Sequence, residues 1–175
     1  MRAAVALLIA AVVPTPGAAS DSLVPELEQR LASGGVEAVN SHLVASASSA
    51  LVPLNQRAAA CELPAVSLTI RLSRSTNVKA TLAHNEALRA AVGRCTAFVL
   101  ALASPQEVPK FCASVASWTV GQTVRELRRR MAAIEADEIL RTSQSGKSCR
   151  TAYLYELQNT RVILRSGPQQ SRVGK

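Results

Sequence analysis

Apolar residues along this chain recur mostly every three or four positions, and a single stretch breaks into strict alternation. Leu23, Leu27 and Leu31 fall on one face of a first short helix, capped by Asp21 or Ser22 and stopped at Gly34-Gly35. A second helix covers Val36 to Val44, residues 45–52 form a small-residue linker, and Pro53 opens another short helix ending near Cys61. Residues 21–52 thus read as a mobile helical arm ahead of a helical domain at 53–160. In the alternating stretch, Val66, Leu68, Ile70 and Leu72 have strand period. They also form i,i+4 pairs with no partner strand nearby, so helix is the preferred reading.

The next segment is long. Val78, Leu82, Leu88, Val92, Cys95, Phe98, Val99 and Leu102 define an apolar stripe after Asn77 or Thr76 as N-cap, ending at Ser104-Pro105. Gly93 inside it costs about 1 kcal/mol relative to alanine, which favours a role in close helix contact. Gln106 to Trp118 then returns antiparallel with Phe111, Cys112 and Val115 inward. Thr119 and Gln122 have capping-box spacing, and Val120, Val124, Leu127, Met131 and Ile134 form the stripe of the helix that follows. Its other faces carry Arg125, Arg128, Arg129 and Arg130, with Glu126 four residues before Arg130. Ser143 to Ser148 reads as a turn, Cys149 to Gln158 as a last helix, and 161–175 as a flexible basic tail. The fold class is therefore all-α, a single disulfide-stapled helical bundle.

Composition adds a compartment. A cationic Arg2, an apolar run from Ala3 to Val13, Pro14 and Pro16, and the small residues Ala18, Ala19 and Ser20 match a cleavable secretory signal at residues 1–20. Arg89 and Arg94 interrupt the best remaining apolar run, Ala90 to Ala103, so no membrane insertion is expected. Cleavage takes the formal net charge from +8 to +7, since Arg2 is the one charge removed. Export to a bacterial periplasm is the expected localisation.

An even set of four cysteines in an exported chain argues for two disulfides, and no C-x-x-C knuckle supports zinc instead. Three pairings are compatible with Cys61, Cys95, Cys112 and Cys149. A hairpin turning at Ser104-Pro105 brings Cys95 and Cys112 to the same height, which favours Cys95–Cys112 and leaves Cys61 for Cys149.

Searches for catalytic groups return little. His42 and His84 lack metal-ligand spacing, and His84 is expected partly exposed on its helix. Glu135, Asp137 and Glu138 face different directions and suit a solvated surface. Gly146-Lys147-Ser148 ends like a phosphate loop, but Arg141 stands where that motif needs glycine. No catalytic residue, metal site or cofactor is therefore assigned. The arginine cluster suits an acidic partner or a locally paired solvated face; five aromatic residues interleave too little for nucleic acid, which is not expected as a partner.

Cys95-Thr96-Ala97-Phe98-Val99, followed by Phe111-Cys112 and by Thr119-Val120-Gly121-Gln122 at a helix start, resembles the Rap/Tai group of small periplasmic immunity proteins. The likeness spans Gly93 to Met131, with departures at Ala97, Phe98, Ala113 and Ser114. It implies an exported, helical, disulfide-bonded protein that is not an enzyme and protects a bacterium by occluding a type VI secretion peptidoglycan amidase. The partner is then a protein, and Trp118, Arg125, Arg128, Arg129 and the loop around Gly146 are the expected contacts, although indole burial favours Trp118 as a core residue over a contact residue. Homodimerisation is left open. The alternative is an accessory structural component of a conjugation, pilus or secretion apparatus.

Overall fold

A computed structural model describes residues 22–45 and 50–166, with side chains to Thr160. The signal segment at 1–20, the expected Asp21 cap, residues 46–49 of the linker and residues 167–175 lie outside the described residues. Eight helices follow in order: α1 (Leu23–Ala45), α2 (Leu51–Ala59), α3 (Leu63–Leu72), α4 (Val78–Leu102), α5 (Val108–Phe111), α6 (Val120–Ala136), α7 (Glu138–Thr142) and α8 (Gln144–Ser166). The described residues contain no strand, so the alternating stretch resolves as α3. Residues 161–166, expected in the tail, continue α8.

The chain folds as two groups of helices that share α4. In the first, α1, α2 and α3 pack around the N-terminal part of α4. The expected stop in α1 is present as a kink at Gly35, whose φ of 75° lies in the left-handed region that glycine enters without a Cβ clash. The arm, however, is not separate: Val24, Leu27, Leu31, Val39 and Leu43 are buried in the common core. Each such side chain contributes about 1.5–3 kcal/mol on burial, and that outweighs the freedom of a detached segment.

Asn77 caps α4 by accepting from the Ala80 amide at 3.1 Å. Its buried face is Ala80, His84, Ala87, Leu88, Ala91 and Val92, while Val78 and Leu82, expected inward, are exposed at 70% and 65%. Alanines let α2 and α3 approach closely, and this small-residue face is the one that three neighbours cover.

In the second group, α5 to α8 gather beside the C-terminal part of α4. The expected antiparallel return does not form. Residues 103–119 hold only the single turn of α5, with Phe111 and Cys112 fully buried and Val115 half-buried. Glu107 organises this stretch by accepting from the Ser104 amide and hydroxyl and from Arg74. Burial opposes its charge, but those hydrogen bonds outweigh it and hold Glu107 at about 2.

Loss of the hairpin changes the staples. Cys61 pairs with Cys95 and Cys112 with Cys149, correcting the expected Cys95–Cys112 and Cys61–Cys149. The physical reason is packing: α2 lies along α4 and delivers Cys61, whereas α8 lies against α5 and delivers Cys149. Each group thus carries its own disulfide, and the thiols are unavailable to zinc. Cys95 sits at a break in α4 (φ −135°, ψ 55°), and Cys61 has a φ of 68°.

Thr119 and Gln122 form the anticipated capping box of α6. No turn spans Ser143 to Ser148; Ser143 instead accepts from the Gly146 amide at 3.0 Å as α8 begins. Among the described residues no helix is long and apolar enough to cross a membrane.

Candidate functional site

Two buried polar arrangements distinguish this molecule. The first lies at the centre of α1–α4. His84 is fully buried, not partly exposed as expected, because it falls on the alanine face of α4. Asn40 on α1 donates through Nδ2 to the Leu72 carbonyl at 2.8 Å, which turns its Oδ1 toward His84 Nε2 at 2.9 Å. That acceptor fixes the proton on Nε2. Nδ1 is then an acceptor, 2.8 Å from the Oδ1 position of Asn55 on α2, where the NH₂ end of the same amide satisfies a neutral ring. Burial lowers the His84 pKa to about 4, so the ring is neutral at neutral pH. One imidazole thereby ties α1, α2 and α4 together, with α3 held through Leu72.

The second arrangement lies between α4 and α6 and gathers part of the expected partner-binding set. A groove of about 360 Å³ is lined by Trp118, Arg125 and Arg129, and also by Arg94, Gln122 and Arg130. Arg130 is the surprise. Instead of standing exposed beside Glu126, it is buried at 4% exposure, with its guanidinium carbon 4.6 Å from the centroid of the Trp118 ring. Its Nη1 donates to the Arg89 carbonyl at 2.6 Å, and among the described residues its Nε has no hydrogen-bond partner and no carboxylate pairs with it.

The Tyr153 hydroxyl, also buried, lies beside the arginine, whose charge and side-chain N–H groups act on it. Burial raises the Tyr153 pKa against that attraction. Gly93 has its close-contact role here, since a Cβ would overlap the Arg130 guanidinium.

The remaining arginines divide by partner. Arg129 pairs with Glu126 at 2.9 Å and donates to the Gly93 carbonyl at 3.3 Å, so it braces α6 against α4. Arg94 and Arg125 are exposed and have no carboxylate partner among the described residues. Arg128 faces a different, shallower depression with Val120, Gly121 and Val124, which Arg125 also borders. Trp118 is half-buried, packed on the core by one side and open to the groove by the other.

Gly146 does not belong with them. It is buried in the first turn of α8, and a Cβ there would overlap the Leu140 backbone carbonyl, so it serves packing of α7 on α8 rather than contact with a partner. Glu135 and Glu138 pair with Arg150 and Arg141, and Asp137 caps α7.

Asn40 and Asn55 were not singled out by the sequence, and Arg94 and Gln122 entered only as a charge interrupting an apolar run and as a capping-box residue. For Asn40 a signal exists, since it adjoins Val39 and precedes Leu43 by three positions on a buried face. No family model, curated protein or solved structure matches the chain.

Proposed function

We propose that this is an exported, periplasmic, non-enzymatic binding protein, most simply an immunity protein of the Rap/Tai kind that inhibits a type VI secretion peptidoglycan amidase by covering its active site. The observation that carries the reading is the groove between α4 and α6. It sets the one tryptophan of the chain beside four arginines and a single glutamate, three of those arginines, Arg94, Arg125 and Arg130, being without a carboxylate partner among the described residues. A rigid aromatic ring with unpaired guanidinium forks around it is the composition of a protein-binding hot spot. Two disulfides hold the scaffold, which suits an oxidising compartment. Occlusion asks nothing more than a preorganised surface, and the braces from Arg129 and Arg130 to carbonyls of α4 supply one.

The test is protection. In bacteria lysed by periplasmic expression of a type VI peptidoglycan amidase effector, co-export of this chain is expected to rescue growth, and the purified chain is expected to inhibit the amidase on peptidoglycan sacculi. Lysis unaffected by the chain, with the purified enzyme equally active in its presence, contradicts the reading.

A further inference from the structure

The groove also indicates what it takes. Its lining has four guanidinium groups, one carboxylate, and that carboxylate is already paired with Arg129. Arg130 is held in the interior against the Arg89 carbonyl, the Trp118 indole face and the neutral Tyr153 hydroxyl, and no carboxylate among the described residues pairs with its charge. Arg94 and Arg125 stand exposed at the rim with no carboxylate partner among the described residues. A cleft with low-dielectric walls and one sign of charge concentrates the opposite charge. Its volume, 360 Å³, accommodates side chains of a larger molecule.

The geometry points to a carboxylate-recognition cleft for an acidic surface segment of the protein partner, gripped by Arg94 and Arg125 over the Trp118 ring. This rests on the reading of the chain as a protein-binding module and names the chemistry of what it binds. Arg94 and Arg125 each offer planar donors matched to the two oxygens of a carboxylate. Trp118 packs against the aliphatic atoms next to it. The Arg130 guanidinium against the ring fixes the indole in place before binding, which lowers the ordering cost.

Trp118 is the only tryptophan, so its emission in the oxidised full chain reports this groove alone. The probe is an amidated pentapeptide of alternating aspartate and glutamate. A saturable emission change is expected, weakened at least tenfold by Arg125→Glu or Arg94→Glu with unchanged circular dichroism, and weakened also by raised salt.

An unchanged response in both variants, or an equal response to a lysine pentapeptide, overturns the proposal. So does preferential binding of citrate or of carboxylate-bearing peptidoglycan fragments, which would make the cleft a small-anion or cell-wall site. Peptide binding without amidase inhibition leaves the cleft standing and removes the immunity reading. Inhibition that survives Arg94→Glu and Arg125→Glu does the reverse.

Discussion

In the half of the molecule built by α1–α4 the buried basic side chain is His84, neutral and hydrogen-bonded on both ring nitrogens. In the half built by α5–α8 it is Arg130, a cation beside one carbonyl, one indole and the Tyr153 hydroxyl, with no carboxylate partner among the described residues. The first centre is complete within the chain; its hydrogen bonds join the helices and leave nothing to offer outward. The second has excess charge and opens onto a groove. A satisfied polar core reads as structure, whereas a core left electrostatically incomplete at its surface reads as a place prepared for something else.

The disulfides follow the same division. Cys112 and Cys149 are fully buried, but Cys61 and Cys95 are only partly so. Replacing Cys112 and Cys149 by serine is therefore expected to cost the most, about 3–5 kcal/mol in urea unfolding, because it removes a cross-link and places hydroxyls in the core. The Cys61/Cys95 pair replaced in the same way should cost about 2–3 kcal/mol. Equal losses would break the contrast between the halves.

Acid should open the first half before the second. The folded His84 value of about 4 lies below the ordinary 6.5, so the unfolded chain binds the proton first as pH falls. This contribution is fully present above pH 6.5 and declines toward pH 4, by about 3 kcal/mol in all. Arg57 lowers Glu62, and hydrogen bonds from Thr76 and Ser75 lower Glu37; with Glu107, they withdraw stability only below the ordinary carboxylate value of 4.5. Urea midpoints between pH 7 and 5 thus isolate the histidine, and His84→Gln should flatten that window. A native chain equally stable at both pH values contradicts the neutral centre.

Gly146→Ala sharpens the reading of α7 and α8. The added methyl meets backbone rather than a flexible side chain, so a loss of about 1–3 kcal/mol is expected, with partner binding of the folded fraction unchanged. At the small end, Arg94→Glu and Arg125→Glu should move the urea midpoint by no more than about 0.5 kcal/mol, since neither side chain is paired.

Local chemistry was legible in the sequence. The Thr119–Gln122 capping box, the Asn77 cap and the Gly35 break depend on a few neighbouring residues, and all three are present. The disulfide pairing was not, because it turned on whether residues 103–119 form a helix, and tertiary packing leaves them a single turn.

Arg130 illustrates a signal present but outvoted. Thr123, Leu127, Arg130 and Ile134 keep the three-four spacing of a buried face, and a run of arginines draws the eye to the charge instead of the period. His84 is the same case on α4, where the face is built of alanines and the larger apolar residues Val78 and Leu82 point to solvent. Arg94 entered only as a charge interrupting an apolar run. That interruption is now one rim of the groove.

The most direct measurement of the difference between the halves is Trp118 emission during titration of the oxidised chain with the purified type VI amidase effector against which it protects. The account predicts a saturable change that survives His84→Gln and is lost in Arg125→Glu. Loss in His84→Gln together with retention in Arg125→Glu would contradict it.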